Sequence, residues 1–280
     1  MSSKEFTVVI PAYNEMGRID KYLPELVRTL DKYLGDSCEV IIVTDGCTDG
    51  TDLWVHEFSK QHTNIKHLNF KHRLGKGRAI VTGLSIGRGR YLAYVDADGS
   101  VPPKEVVKLL LYIKKVNCDL VIASRYLPTS QILRKPPLIR ILYSRIFNAI
   151  TKMLFPVLST IHDTQCGLKV IRRSTFSKIK SKLLVQNFAF DVNLILSVID
   201  VSGEVVEVPI QWFHVDIGSK VNGEGSIFTR VRCLNKVGLQ MLLSVLKLKL
   251  YRGRLGIGRA LLQHLGKVLD FLISLTLRGE

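Results

Sequence analysis

The 280-residue sequence predicts an α/β protein built on a mostly parallel sheet with helices on both faces, and three observations carry that expectation. Short apolar runs rich in Val, Ile and Tyr alternate with segments of helical periodicity from residue 6 to about residue 123. The connections between runs are long enough for crossovers, so the strands pair in parallel, and the handedness of such crossovers sets helices on both faces. Polar insertions fall at the carboxyl ends of the runs, the edge at which open α/β sheets bind ligands.

Phe6-Thr7-Val8-Val9-Ile10 reads as a buried strand stopped by Pro11-Ala12-Tyr13-Asn14-Glu15. A helix over about 18–33 aligns Ile19, Leu23, Leu26, Val27 and Leu30 on one stripe. Gly35-Asp36-Ser37 turns the chain into a strand at 39–43, which ends in Thr44-Asp45-Gly46. A helix over about 52–61, an apolar run at 65–68, and a helix opened by Arg73-Leu74-Gly75-Lys76-Gly77 and reaching about 86 follow. The strand Tyr91-Leu92-Ala93-Tyr94-Val95 runs straight into Asp96-Ala97-Asp98-Gly99. A helix over about 103–115 precedes the strand Leu120-Val121-Ile122-Ala123, closed by Ser124-Arg125-Tyr126. The alternation then stops: an apolar and basic segment covers 133–158, and Asp163-Thr164-Gln165-Cys166-Gly167 leads into a short strand at 168–171. A helix of about ten residues opens near Asp191, and 205–210, which contains Pro209, reads as an edge strand.

Asp96 and Asp98 project to the same side of an extended chain and can converge on one ligand, a hard divalent cation by their chemistry. Taken alone, Asp98-Gly99 could equally open a turn, and for each motif singly a turn or helix cap is the more frequent reading. Recurrence on one edge argues for a site. Asp45 can accept from a nucleobase imide or a ribose hydroxyl. Lys76 at a helix start suits a phosphate, and Arg125 offers a planar fork for phosphate or sugar oxygens. Together these groups describe a grip on a nucleoside diphosphate.

The formal net charge of +16 calls for an anionic partner. Residues 227–280 hold ten Lys or Arg against two acids, interleaved with Leu, Ile and Val rather than with exposed aromatics, which speaks against nucleic acid. In 133–158 the apolar residues Ile139, Leu142, Ile146, Ile150, Met153, Leu154 and Val157 recur at helical spacing, broken by Arg140, Arg145 and Lys152. No stretch approaches about 20 uncharged residues, so these segments read as amphipathic helices on a bilayer surface. The alternative is that the tail helices pack on protein, which leaves a homo-oligomer open. The expected organisation is a catalytic domain at 1–226 and basic amphipathic helices at 227–280. Five scattered cysteines and an amino terminus without a basic-then-apolar signal fit a reducing compartment and no export.

The ordered set Val9 to Glu15, Val43 to Thr51, Gly75-Lys76-Gly77, Asp96-Ala97-Asp98 and Ser124-Arg125 resembles the motifs of family 2 inverting glycosyltransferases with the GT-A fold, the nucleotide-diphospho-sugar transferase architecture. Asp163 to Lys169 and Trp212 to Lys220 resemble the polyprenyl-phosphate branch, nearest to dolichyl-phosphate glucosyltransferases and next to dolichyl-phosphate mannose synthases. The chain departs from that pattern at Thr44, where the family has an acid, and at His214, where mannose synthases carry an arginine. The resemblance implies donor binding by Pro11, Tyr13, Glu15, Asp45, Lys76, Asp96 and Arg125, with Asp98, alongside Asp96, holding Mg2+ or Mn2+. It puts Asp163 and Gln165 by the sugar and the attacking oxygen, with Asp191 the rival of Asp163 for a base role, and Ser219 and Lys220 on the acceptor phosphate. The implied reaction is metal-dependent transfer of a hexose, glucose from UDP-glucose, to dolichyl or polyprenyl phosphate at the cytoplasmic membrane face. GDP-mannose is the alternative donor, and a non-catalytic nucleotide-sugar-binding protein at the membrane surface is the alternative from another class.

Overall fold

The computed structural model describes residues 4–187, 189–215, 227–252 and 268, with 227–236 by backbone alone. In chain order the elements are β1 (Phe6–Ala12), α1 (Ile19–Leu34), β2 (Cys38–Asp45), α2 (Thr51–Lys60), β3 (Ile65–Phe70), α3 (Lys76–Ile86), β4 (Tyr91–Val95), α4 (Pro103–Val116) and β5 (Leu120–Ser124). There follow β6 (Gln131–Arg134), α5 (Leu138–Leu154), β7 (Leu168–Arg172), α6 (Arg173–Ile179), α7 (Phe190–Ile199), β8 (Val205–Pro209), β9 (Gln211–Phe213) and α8 (Ile227–Arg252).

Seven strands form one sheet in the order β3-β2-β1-β4-β7-β5-β8. Every residue of β2, β4 and β5 is buried, which is why those runs are apolar without alternation. Helices α1 and α4 pack on one face through Leu23, Leu26, Val106 and Leu110, and α3, α6 and α7 pack on the other through Ile80, Phe176 and Leu194. Pro103 at the start of α4 costs no hydrogen bond, because the first-turn amides have no intrahelical partner, and Asn117 ends the helix in a left-handed conformation. The proline-containing strand β8 lies at the edge, paired only with β5.

One strand runs against the rest. β7 is antiparallel to both neighbours, with Ala93 opposite Val170 and Val121 opposite Val170. The cause lies in the excursion from residue 125 to 167, which keeps the chain at the carboxyl edge, so β7 enters the sheet from that edge and descends. Glu207 of β8 anchors the excursion, accepting from the amides of His162 at 2.8 Å and Asp163 at 2.9 Å. A small parallel ribbon of β6 and β9, which the sequence pattern does not announce, stands beside it.

Helix α5 forms within the basic apolar segment and divides its apolar residues between two sides. Phe147 and Leu154 turn inward, whereas Leu138, Leu142, Ile146 and Met153 are exposed. Helix α8 packs on α5 and buries Val245 and Leu248 in the core below the sheet. Lys249 Nζ donates to the Leu154 carbonyl at 2.6 Å, and Arg252 pairs with Asp200 at 2.5 Å. Among the described residues no helix is long and apolar enough to cross a membrane. The second apolar stretch of the tail, 261–277, lies outside the described residues apart from 268.

Candidate active site

The strand ends converge as parallel pairing requires. Pro11, Tyr13 and Glu15 after β1, Asp45 at the end of β2, Lys76 at the start of α3, Asp96 and Asp98 after β4, Arg125 after β5 and Gln165 before β7 all line one cavity of about 1160 Å³. Asp191 also reaches it, and Asp163 does not. Ser219 and Lys220 lie outside the described residues.

One rim is acidic. Asp98 Oδ1 accepts from the Ser100 amide at 2.9 Å within its own turn. Asp96 is held by Lys76, whose Nζ stands 2.7 Å from Oδ1 and 3.1 Å from Oδ2. The Asp96 carboxylate rests against the backbone of Gly167, where any Cβ would collide with Oδ2. Glu15 pairs with Arg18, yet burial pushes its carboxyl up to about 8; the Arg18 charge opposes the shift, and Asp98, Asp96 and Asp49 reinforce it. Among the described residues no three His, Cys, Asp or Glu side chains are grouped to hold a metal by themselves.

Two fixed cations, Lys76 against Asp96 and Arg125 beyond it, complete the lining. Burial works against the Lys76 charge, but Asp96 and Asp191 outweigh it and hold the ammonium protonated well above its ordinary range. Arg125 makes a two-pronged pair with Asp163, Nε to Oδ2 at 2.7 Å and Nη2 to Oδ1 at 2.9 Å. Its guanidinium carbon stands 5.3 Å from the ring centres of both Tyr126 and Trp212.

These contacts set Asp163 apart from the other candidate residues. Its side chain is fully buried, and the amides of Arg125 and Gln165 occupy it further at 3.0 and 3.1 Å. Burial raises its carboxyl, but the charge and hydrogen bonds of Arg125 prevail, so it stays ionised below the ordinary carboxylate range. In this arrangement Asp163 holds Arg125 and does not itself line the cavity. Gln165 does face the cavity, and its Nε2 is buried without a hydrogen-bond partner among the described residues.

Asp45 lines the cavity and also holds the backbone beside it. Its two oxygens accept from the amides of Leu74 at 2.5 Å and Gly75 at 2.9 Å, so the carboxylate shapes the loop that delivers Lys76. That loop needs Gly75, whose φ of 92° lies in the left-handed region and whose Cβ would meet the Gln186 carbonyl at 2.5 Å. Arg73 stacks over the Tyr13 ring at 3.8 Å. Thr44, standing where an acid was expected, points to β3, its hydroxyl 2.7 Å from His67 Nε2.

Sequence reasoning left the far wall of the cavity unassigned. Arg140, Ser144 and Phe147 of α5 face Met241, Lys247 and Leu248 of α8 across it, so apolar and cationic groups alternate there. The regular basic and apolar spacing of both segments was the available signal.

The sequence pattern of the family described as "Glycosyl transferase family 2" matches residues 7–180. A dolichyl-phosphate beta-glucosyltransferase of Saccharomyces cerevisiae is 32% identical over 231 residues, covering 77% of this chain and 68% of that one. Another of the same name from Dictyostelium discoideum is 30% identical over 253 residues, covering 87% and 76%. Among solved structures, a glucosyl-3-phosphoglycerate synthase from Mycobacterium tuberculosis, in complex with Mn2+, UDP-glucose and phosphoglyceric acid, superposes with a TM-score of 0.65 at 16% identity, over 88% of this chain and 80% of that one. That likeness establishes the GT-A architecture. Because the family match covers more than half of the chain and runs from β1 to β7, through the strand ends that carry Asp45, Asp96, Asp98 and Arg125, the chain belongs to glycosyl transferase family 2 and is a glycosyltransferase.

Proposed function

We propose that the chain transfers glucose from UDP-glucose to dolichyl phosphate or a related polyprenyl phosphate, with inversion, as a peripheral protein of the cytoplasmic membrane face. The observation that carries this reading is a single cavity that joins an acidic rim and two fixed cations to a wall of basic and apolar helix residues. The first part suits a sugar nucleotide, and the second suits a phosphate on a lipid chain. The relatives named above supply the class of donor and acceptor.

The acidic rim fits a divalent cation. Asp98 uses one oxygen in its own turn and Asp96 stands beside it, while Glu15 is driven toward its neutral form by burial first and by the neighbouring acids after it. Asp98 and Asp96 would hold Mg2+ or Mn2+, with a diphosphate completing the oxygen shell. When bound, the ion supplies charge neutralisation on the leaving diphosphate.

Lys76 adds a second cation to that diphosphate from the start of α3, and Arg125, locked by Asp163, Tyr126 and Trp212, presents a rigid fork at the sugar end. The acceptor phosphate is already anionic near neutral pH. Its oxygen attacks the anomeric carbon, the bond from that carbon to the nucleotide oxygen breaks, and the electron pair leaves on the diphosphate. No strong base is required, and the burial of Asp163 is no obstacle to this route. Arg140 and Lys247 would guide the acceptor phosphate inward, with Ser219 and Lys220 as further partners.

A panel of sugar nucleotides with a short polyprenyl phosphate and Mg2+ or Mn2+ tests the reading. UDP-glucose is expected to turn over fastest. Asp98→Ala is expected to lose about 100-fold or more of transfer while keeping the far-ultraviolet spectrum of the folded protein. Near-normal turnover by that variant removes the metal role, and faster transfer from GDP-mannose replaces the donor.

A further inference from the structure

Beneath the cavity lies a charge cluster to which the route above gives no task. Lys169 of β7 and Asp191 of α7 are each 1% exposed, and Lys169 Nζ donates to Asp191 Oδ1 at 2.5 Å and to the Cys166 carbonyl at 2.8 Å. Tyr94, equally buried, gives its hydroxyl proton to the same Oδ1. The other oxygen, Oδ2, stands 4.0 Å from Lys76 Nζ, whose nearer partner is Asp96 at 2.7 Å. Lys76 therefore sits between two carboxylates, and its allegiance depends on what else neutralises Asp191.

We infer that Lys169 and Asp191 are positioning residues for the donor: Lys169 cancels the Asp191 charge, so that Lys76 stays at the Asp96 rim, where a nucleoside diphosphate binds. The inference rests on the proposed role of Lys76 as a diphosphate ligand. A buried ion pair is costly to break from either side, because the survivor is left without water and seeks the nearest opposite charge. Without Lys169 that charge is Lys76, drawn away from the cavity. Without Asp191 it is Lys169 that stands unpaired, repelling Lys76 from below. Asp191 is on this account no proton acceptor: two donors occupy the oxygen on the Lys169 side, and an ammonium lies beside the other.

The test compares the wild type with Lys169→Met, Asp191→Asn and the double variant, by calorimetric binding of UDP with Mn2+ and by steady-state kinetics. Each single variant is expected to weaken UDP binding and raise the donor KM about tenfold or more, with the acceptor KM unmoved. The double variant, which removes both charges together, is expected to return to within about threefold of wild type in donor affinity and to recover most of the lost turnover. A double variant that binds UDP normally yet stays without turnover overturns the inference and makes Asp191 a catalytic residue. A Lys169→Met protein with wild-type UDP affinity also overturns it. If a single variant does not fold, the double variant decides, since it holds no unpaired buried charge. A wild type that binds no uridine nucleotide removes the donor reading and this inference with it, an outcome distinct from a wild type that binds while the variants fail to diverge.

Discussion

Glu15 shows what crowding acids onto one sheet edge does to a single side chain. Its carboxyl ordinarily titrates at 4.5 and is pushed up to about 8 in the fold, by burial first and, against Arg18, by Asp98, Asp96 and Asp49. Between those values the folded protein holds a proton that the unfolded chain has released, so stability is full below about pH 4.5 and is lost as pH climbs toward 8. In the absence of metal and nucleotide, the melting temperature of the wild type is expected to fall between pH 5 and 8.5 by about 5 °C more than that of Glu15→Gln, which cannot ionise. Parallel curves for the two proteins would remove the assignment. At this scale the sequence was legible where a charge follows an apolar run, as at Asp96, Asp98 and Arg125, and where a lysine stands between glycines at a helix start, as at Lys76. The burial of Asp163 was not legible, because nothing local says that Arg125 takes both of its oxygens. Lys169 was readable in principle as a lone charge inside the apolar run Leu168 to Ile171, with no sign of its partner 22 residues away.

Among the elements, α5 faces two ways: Arg140, Ser144 and Phe147 line the cavity while Leu138, Leu142 and Met153 are 84%, 57% and 74% exposed. On the proposed membrane reading, apolar side chains this exposed, flanked by Arg145 and Lys152, would suit an anionic bilayer, each adding on the order of 1 kcal/mol or more to partition. Replacing Leu138, Leu142 and Met153 together by Ser is expected to lower binding to vesicles containing anionic lipid about tenfold or more, with turnover on a short water-soluble acceptor kept. Undiminished vesicle binding would remove this face from the proposed membrane contact. The periodicity of α5 was plain in the sequence, but periodicity cannot divide a stripe between lipid, cavity and core. Strand β7 was likewise legible as an apolar run, whereas its direction depends on where the 125–167 excursion leaves the chain.

For the whole molecule, the uncertain segment was the tail. Helix α8 carries the basic and apolar spacing expected of a surface helix, yet Val245 is fully buried and Leu248 is 3% exposed. Ser244 accepts from Asn187 at 2.7 Å, which ties α8 to the loop whose Gln186 carbonyl accepts from the Gly77 amide at 2.7 Å, beside Lys76. Leu248→Ala is expected to cost about 2–4 kcal/mol of stability, read as a lower midpoint in urea; an unchanged midpoint would make α8 a loosely attached arm. The alternating architecture to residue 123 was fully legible, because each unit is written locally, whereas everything after it depends on contacts between distant segments. The reversed strand carries a consequence for biogenesis. β4 and β5 do not pair with one another, and the gap between them closes only when 168–172 arrives. A ribosome must therefore have delivered residues 167–191 before the acidic rim gains its Gly167 backing and Lys169 reaches Asp191. Chains ending before residue 168 would hold a split sheet and no competent grip on a nucleotide, so the reversed strand is the step that couples closing the sheet to gaining the site.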